Sequence, residues 1–463
     1  MATSERSLRY FGTDGVRGKA EVELTRDFAW KLGRAAGTHL LSAREVVAGL
    51  KRPAIAVGHD TRVSSPSLAE ACAEGLASSG ADVIYLGTVP TAVVAFAVTE
   101  LGLAGGCVIS ASHNPPEDNG IKFFGAGGYK LGPADEASIE AIFEGQILDN
   151  ERQQIRRAVS DELVPEIIQR YERHVIDSVG VAKLSGIRAV VDCANGAASE
   201  IAPRVLAASG AEVVAVAAEG DGTKINVGCG ATDTSLILSA TKTSGFSIGL
   251  ALDGDADRLI AVDAEGTVYD GDNLMAAFGA WLLGKGRLDP PIVVATVMSN
   301  LGLRLALERL GVELVECGVG DREVVEAMRA RGAKLGGEQS GHIVFADCGT
   351  TGDGILTAAF LLQLVAETGQ SLAEAAGAVE RVPQVLLNIE VKDKREVIAS
   401  EELALCVAEA KRRLGSHGRL LVRPSGTEPL IRVMVESADE GLARLVATDV
   451  ASVIQQIDAK TGA

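Results

Sequence analysis

Aromatic residues are scarce in this chain, because only 4% of its 463 residues are Phe, Trp or Tyr. Hydrophobic residues still make up 47% of the sequence, which is enough for sizeable cores. We therefore expect cores built from Ala, Val, Leu and Ile. The chain is too long for one ordinary domain, and length alone predicts about three.

Cysteines and long apolar runs are also few. The seven cysteines are scattered without a CxxC pair, which is typical of a reducing compartment and speaks against a thiolate metal site. The longest uncharged stretch, residues 83–99, is interrupted by Gly87 and Pro90 and indicates a strand, a turn and a helix start. The N-terminal letters MATSERSLRYF lack the apolar region of a signal peptide. We expect a soluble, cytoplasmic protein.

Basic residues are fewer than acidic ones. The chain has 44 Lys and Arg and 62 Asp and Glu, which gives a formal net charge of −18. Nucleic acids and anionic membranes select for a positive field, so we expect neither as a partner. An anionic substrate would need local Arg and Lys residues to overcome the global repulsion.

One pattern occurs three times: an apolar run, a polar loop, a helical stretch ending in glycine, and a second apolar run. The glycines are Gly80, Gly210 and Gly311, and each suits the positive φ of a helix C-cap. One copy could be any βαβ unit, but three copies predict three similar α/β domains with mixed sheets. After Val382 the pattern changes to a smaller α+β domain. We expect domains at 1–160, 161–263, 264–380 and 381–463, arranged around a central cleft.

The loop ISASHNPPEDNG, residues 109–120, follows an apolar strand and contains Ser110, Ser112 and His113. Adjacent residues on a strand point to opposite faces, so Ser112 and His113 are a poor hydrolase pair. The GxSxG elbow of many hydrolases is absent too. Lys122 follows the loop and indicates an anion nearby. Taken alone, the loop could also be a structural turn.

The strongest single signal is ALDGDADR, residues 251–258, with Asp253, Asp255 and Asp257 at alternate positions. Clustered carboxylates repel one another unless a cation binds them, and all-oxygen ligands favour Mg²⁺ or Mn²⁺ over zinc. An EF-hand is excluded, because its sixth and twelfth positions would be Arg258 and Ala264. An Asp-rich turn is the weaker alternative.

Two further loops suit a phosphorylated sugar. LGGEQSGH, residues 335–342, offers side chains for hydroxyl recognition, although it could equally be a hairpin turn. VRPSGTEPLIRV, residues 422–433, places two arginines around a turn that could cradle a phosphate, or that is only a turn. GTDGVRG adds Arg17 and GHDTRVSS adds Arg62.

A serine nucleophile, a metal loop, a polyol loop and a phosphate loop together predict phosphoryl transfer to or from a sugar phosphate.

Five motifs in order resemble the α-D-phosphohexomutase superfamily over nearly the whole chain. They are RYFGTDGVRG, ISASHNP…DNGIKFF, DGDADR, GGEQSGH…TTGDGILTA and LVRPSGTEPLIRVMVE. The form of the N-terminal motif and Gln339 favour the bacterial members that interconvert glucosamine phosphates. Members that act on mannose and glucose phosphates are the alternative, and a non-catalytic sugar-phosphate binding protein is a more distant one.

The resemblance implies that Ser112, and not Ser110, carries the phosphoryl group. It implies one Mg²⁺ per chain, a hexosamine phosphate substrate, a glucosamine or glucose 1,6-bisphosphate activator, and a homodimer as a candidate assembly. The expected metal ligands are Ser112, Asp253, Asp255 and Asp257. The expected catalytic residues are Ser112, Arg17, Lys122 and His342, with the proton transfers unassigned. The expected substrate-binding residues are Arg62, Arg258, Glu338, Ser340, Arg423, Ser425, Gly426, Thr427 and Arg432.

The chain departs from the family pattern at a few positions outside the core motifs. Pro116 and Glu117 replace a bulky pair, Asp233 stands where we expect His, and Glu323 stands where Tyr is common. Glu323 lies near the sugar loop in the sequence and bears on fine specificity.

Overall fold

The computed structural model describes residues 8–42, 53–145, 163–180, 183–415, 418–425 and 428–460. The chain forms two compact units. The larger unit comprises Met1–Met298 and Leu310–Ala378, and the smaller comprises Ser299–Arg309 and Val379–Ala463.

The first sheet of the larger unit has the strand order β1-β5-β4-β2-β3. Its strands are β1 (Val16–Lys19), β2 (Ala54–His59), β3 (Asp82–Thr88), β4 (Gly105–Ile109) and β5 (Asp118–Gly125). Its helices are α1 (Arg26–Leu41), α2 (Ser65–Ser78), α3 (Thr91–Leu101) and α4 (Pro133–Gly145). β2 is parallel to β3 and β4, whereas β5 is antiparallel to β4 and β1. β2 and β4 are buried at every position, as expected for a sheet covered on both faces.

The second sheet repeats this arrangement with the order β10-β9-β8-β6-β7. Its strands are β6 (Arg188–Asp192), β7 (Glu212–Val216), β8 (Ile248–Leu252), β9 (Leu259–Asp263) and β10 (Val268–Tyr269). Its helices are α5 (Leu163–Val179), α6 (Ile201–Ala208) and α7 (Ser235–Ser244). β6 is parallel to β7 and β8, and β9 is antiparallel to β8 and β10.

The third sheet has the order β12-β11-β13-β14. The elements of this part of the chain are α8 (Gly271–Gly284), β11 (Ile292–Thr296), α9 (Leu301–Arg309), β12 (Glu313–Cys317), α10 (Asp321–Arg331), β13 (Leu335–Gly337), β14 (Ile343–Phe345), α11 (Gly354–Thr368) and α12 (Leu372–Ala376). β11 is parallel to β12 and β13, and β14 is antiparallel to β13. The prediction of three similar mixed sheets is therefore confirmed. Gly80, Gly210 and Gly311 have φ of 103°, 108° and 71°, as predicted for helix ends.

The smaller unit contains an antiparallel sheet of order β15-β17-β16, which confirms the α+β prediction. Its elements are β15 (Gln384–Glu390), α13 (Lys394–Ile398), α14 (Glu401–Leu414), β16 (Gly418–Pro424), β17 (Leu430–Ser437) and α15 (Glu440–Lys460). The α9 segment belongs to this unit because the buried Asn300 amide donates to Val382 O and to Glu436 Oε1. Within the described ranges, we find no helix with both the length and the apolar character needed to cross a membrane.

Candidate active site

Three of the four chemical loops occupy the same place in the three repeated sheets. The serine loop joins β4 to β5, the aspartate loop joins β8 to β9, and the polyol loop joins β13 to β14. In each case a buried parallel strand ends in the loop, and an antiparallel partner carries the chain away. The fold brings the three loops together. Ser112 Oγ lies 2.6 Å from Asp253 Oδ2, and His342 Nδ1 lies 3.4 Å from Asp257 Oδ2.

Ser112 lies beyond the end of β4, with a left-handed φ of 51° and 1% of its surface exposed. Its hydroxyl donates to Asp253 Oδ2, and its amide donates to Ser110 Oγ at 2.9 Å. The prediction that Ser112 and His113 point apart is wrong, because the alternation of a strand does not extend to this residue. His113 Nδ1 lies 3.3 Å from Ser112 Oγ. Burial, followed by the charges of Arg258 and Arg17, lowers the pKa of His113 to about 4.

The aspartate loop has the properties of a cation site. Carboxylate oxygens of Asp253, Asp255 and Asp257 all lie within 4.8 Å of one another, and the three residues are buried. Among the described residues, Asp255 Oδ1 and Asp257 Oδ1 have no hydrogen-bond donor. Burial and the neighbouring carboxylates raise the pKa of Asp253 well above its usual range. A divalent cation would satisfy these oxygens, so the donor set fits a hard metal ion.

Lys122 lies on β5, next to this cluster. Its Nζ is 3.1 Å from Asp255 Oδ2 and 2.8 Å from Asp14 Oδ2. Burial would lower the pKa of Lys122, but the carboxylates of Asp14 and Asp255 outweigh it and raise the pKa. The residue is therefore an ammonium ion beside the serine loop.

Asp14 is a central residue that the sequence analysis missed. It accepts from Arg17 Nη2 at 2.6 Å, from Lys122 Nζ and from Lys130 Nζ at 2.5 Å. Burial would raise the pKa of Asp14, but Lys122, Lys130 and Arg17 hold it well below its usual range. The available signal was the motif GTDGVRG, in which Asp14 precedes Arg17 by three residues.

The orientation of His342 is set by backbone geometry. The Gly352 N–H donates to Nε2 at 3.0 Å, so the ring carries its proton on Nδ1, facing Asp257. A Cβ on Gly352 would lie 2.5 Å from His342 Cε1, so only glycine allows this approach. His342 is thus placed to orient Asp257.

The polyol loop is a hairpin connection, as one of the two interpretations predicted. Within it, Ser340 Oγ lies 3.5 Å from Glu338 Oε2, and Glu338 Oε1 accepts from Gly320 N at 3.3 Å. Arg258, from the aspartate loop, lies 3.8 Å from Asp257 Oδ1 and forms a backbone bridge with His342. The two loops therefore form one surface.

Arg62 bonds to the backbone of the serine loop. It is fully buried, and an arginine has five N–H donors. Nε donates to Asp60 Oδ2 at 2.9 Å. The two Nη atoms donate to four backbone carbonyls of the serine loop, those of Ser112, Asn114, Pro115 and Asp118. All five donors are used within the described structure, and a substrate-binding role of Arg62 stays a prediction.

The phosphate loop lies in the smaller unit. Arg423 and Arg432 are direct cross-strand partners on β16 and β17. Burial and then the Arg432 charge lower the pKa of Arg423. Like charges directly opposite on paired strands repel one another, so an anion between them would be stabilising. Ser425 is buried at the end of β16, and Gly426 and Thr427 lie outside the described residues.

Four protein-family models match this chain. Three of them describe the phosphoglucomutase/phosphomannomutase alpha/beta/alpha domains I, II and III, and they match residues 8–149, 164–266 and 270–382 respectively. The description of the phosphoglucomutase/phosphomannomutase C-terminal domain matches residues 386–453.

Similar curated proteins include two phosphoglucosamine mutases. The protein of Streptomyces griseus is 47% identical over 449 residues, which cover 96% of this chain and 99% of that protein. The protein of Frankia casuarinae is 49% identical over 453 residues, which cover 97% and 98%.

Solved structures share the fold. A putative phosphomannomutase from Thermus thermophilus matches with a TM-score of 0.77 at 25% identity, covering 97% of this chain and 99% of that one. Aspergillus fumigatus N-acetylphosphoglucosamine mutase, in complex with GlcNAc-6P and magnesium, matches with a TM-score of 0.64 at 18% identity, covering 98% and 97%. Since the family descriptions and the curated relatives both span nearly the whole sequence, the chain belongs to the phosphoglucomutase/phosphomannomutase family of the α-D-phosphohexomutase superfamily.

Proposed function

We propose that this protein is a phosphoglucosamine mutase, an isomerase that interconverts glucosamine 6-phosphate and glucosamine 1-phosphate. The observation that carries the proposal is Ser112 Oγ beside a buried cluster of three aspartates, with the ammonium of Lys122 on the same cluster. The choice of glucosamine among hexoses is supported by relatives named phosphoglucosamine mutase at 47% and 49% identity.

The reaction needs no co-substrate because the phosphoryl group is returned. Phosphorylated Ser112 gives its phosphoryl group to O1 of glucosamine 6-phosphate, so the P–Oγ bond breaks as the P–O1 bond forms, and a proton leaves O1 while Ser112 Oγ takes one up. The resulting 1,6-bisphosphate turns end for end. Ser112 Oγ then attacks the 6-phosphoryl group and loses its proton, O6 takes up a proton, and glucosamine 1-phosphate leaves.

The residues of the larger unit prepare this transfer. Asp253, Asp255, Asp257 and the phosphate on Ser112 would hold Mg²⁺, which when bound neutralises charge on the phosphoryl oxygens. Asp14 orients Arg17 and Lys122 through ion pairs of 2.6 and 2.8 Å. Lys122 enters as an ammonium ion, so it can stabilise the transferring group and donate a proton to the leaving oxygen. His342 orients Asp257 through its Nδ1–H.

Two further groups of residues select the substrate. Arg258, Glu338 and Ser340 bind the sugar hydroxyls. The phosphate that is not reacting is held by the pair Arg423 and Arg432, together with Ser425, Gly426 and Thr427. Arg432 pairs with Glu428 Oε2 at 3.0 Å, and the like charge of Arg423 directly across the strands supports this assignment, because a phosphate beside Arg423 would supply a further anion.

A coupled assay on glucosamine 6-phosphate, glucose 1-phosphate and mannose 1-phosphate tests the proposal. We expect kcat/KM to be at least about ten-fold higher for the glucosamine substrate. Preference for a glucose or mannose phosphate would instead support the phosphomannomutase/phosphoglucomutase alternative, and no turnover would support a binding protein. The domain boundaries, the bisphosphate activator, a homodimer and a cytoplasmic location stay predictions.

A further inference from the structure

Two backbone carbonyls of the serine loop each receive two side-chain hydrogen bonds. Ser112 O accepts from Arg62 Nη2 at 2.9 Å and from Asn226 Nδ2 at 2.9 Å. Asn114 O accepts from the same two atoms at 2.8 and 3.2 Å. We propose that Arg62 and Asn226 are positioning residues that together hold Ser112 in the geometry required for phosphoryl transfer. This pair is called the carbonyl clamp below, and its catalytic meaning rests on the proposed function.

Arg62 is itself held rigidly. Asp60 Oδ2 accepts from Arg62 Nε at 2.9 Å and from Ser110 Oγ at 2.7 Å, while Asp60 Oδ1 accepts from the Arg62 amide at 3.0 Å. All these groups are buried. A planar guanidinium fixed in this way presents its two Nη groups to the loop in one orientation.

Asn226 contributes to the carbonyl clamp from a loop that follows a strand of the second sheet. It lies between β7 and α7, has φ of 59°, and its amide donates to Ala194 O at 3.0 Å. Asparagine tolerates this left-handed backbone better than most residues. On the same side, a Cβ on Gly254 would lie 2.6 Å from Ser112 O, so the aspartate loop also packs closely against this carbonyl. The serine loop is therefore held between two domains.

Ser112 needs such support because of its own backbone. A φ of 51° is uncommon for a residue other than glycine, and buried carbonyls require donors. Without the clamp, the carbonyls of Ser112 and Asn114 would lose these donors, and the peptide groups that follow the two residues would be free to turn. Oγ would then leave its position 2.6 Å from Asp253 Oδ2, where the phosphoryl group must be exchanged. Misplacement of a nucleophile lowers kcat more than it changes substrate binding.

Asn226→Gly is the first variant, because it removes the side-chain donors and keeps a residue suited to positive φ. Thr223→Ala is its matched control, since the Thr223 hydroxyl lies in the same loop and bonds only to Asp221 in the described structure. Arg62→Lys is the second variant, because lysine cannot reach four carbonyls at once. Four quantities are measured in each: kcat, KM, the rate of Ser112 phosphorylation by glucose 1,6-bisphosphate, and amide hydrogen exchange of residues 107–120.

For Asn226→Gly we expect kcat and the phosphorylation rate to fall about ten-fold, with KM within about two-fold of the parent. Exchange in residues 107–120 should become faster, and Thr223→Ala should match the parent in all four quantities. Arg62→Lys should show a larger loss of the same kind. If it does not fold, Asn226→Gly decides alone.

Unchanged kcat in Asn226→Gly overturns the inference, whatever the exchange rates, because the clamp would then be structural only. A raised KM with unchanged kcat also overturns it. If the parent enzyme turns over none of the hexose phosphates, the proposed function fails instead. The exchange measurement then decides by itself whether the clamp holds the loop.

Discussion

Ser112 Oγ donates a hydrogen bond to Asp253 Oδ2 at 2.6 Å, although 141 positions separate the two residues in the chain. The contact joins the ends of β4 and β8, which are equivalent strands of two repeated sheets. The repetition of one fold therefore places a nucleophile and a cation site face to face.

Replacing Ser112 by Ala should reduce mutase turnover to background, because no other group holds the phosphoryl between the half-reactions. Ser110→Ala is the matched control. The Ser110 hydroxyl accepts a hydrogen bond from the Ser112 amide, so we expect turnover to fall about ten-fold or less, with phosphorylation of Ser112 retained. Coupled assays and intact mass measure both effects. Equal losses in the two variants would contradict the assignment of Ser112.

Asp255→Asn should weaken metal binding, because it removes one negative charge from the cluster. We expect the dissociation constant for Mn²⁺, measured by electron paramagnetic resonance, to rise about ten-fold or more. Asp233→Asn is the control, since Asp233 is exposed and bonds to Ser235. Parent enzyme that keeps its activity in excess chelator would contradict the metal site.

Asp14→Asn should lower kcat by about ten- to a hundred-fold, because three cations lose their shared carboxylate. The melting temperature should also fall. Asp135→Asn is the control, as Asp135 pairs with His39 at a partly exposed site. Coupled kinetics and thermal unfolding test both effects. An Asp14→Asn enzyme with parental kcat would show that Arg17 and Lys122 need no such support.

Arg423→Ala should raise KM by about ten- to a hundred-fold, because a charge-assisted hydrogen bond to phosphate is lost. The intermediate should also escape more often, so more free 1,6-bisphosphate is released per turnover. Arg412→Ala, at an exposed position on α14, is the control. Released bisphosphate and product are quantified together. Unchanged KM and unchanged release would make the loop structural only.

Stability should depend on pH through Asp192, whose carboxylate accepts from Ala194 N and Gly230 N. Burial outweighs these bonds and raises the pKa of Asp192 to about 6. The folded state then binds the proton more tightly than the unfolded state, whose pKa is about 4. Stability from this group is therefore fully present below a pH of about 4 and is lost as the pH rises through about 6.

The corresponding experiment is urea unfolding at pH 5 and pH 7. Asp192 alone should make the parent about 1 kcal/mol less stable at pH 7 than at pH 5. Asp192→Asn should lack this component. An identical pH dependence in parent and variant would show that the pKa of Asp192 is not raised.

Local sequence patterns were sufficient to predict the repeated sheets and the character of the loops. Apolar runs and cap glycines determine the structure of only the few residues around them. Gly80 and Gly210 therefore predicted where their helices end without tertiary information. Asp253, Asp255 and Asp257 indicated a cation site for a similar reason, since three neighbouring carboxylates need compensation wherever the chain places them. The order of five motifs then predicted the family.

The side chains that support the site could be identified only from the folded chain. The donors of Arg62 are used by carbonyls about fifty positions away. Asp14 joins Lys122 and Lys130 across more than a hundred positions, and His113 approaches Ser112 because the backbone turns there. Charges and donors can be read from sequence, but their partners cannot. Hydrogen bonds and ion pairs act over only a few ångströms, and folding determines which distant residues come within that range.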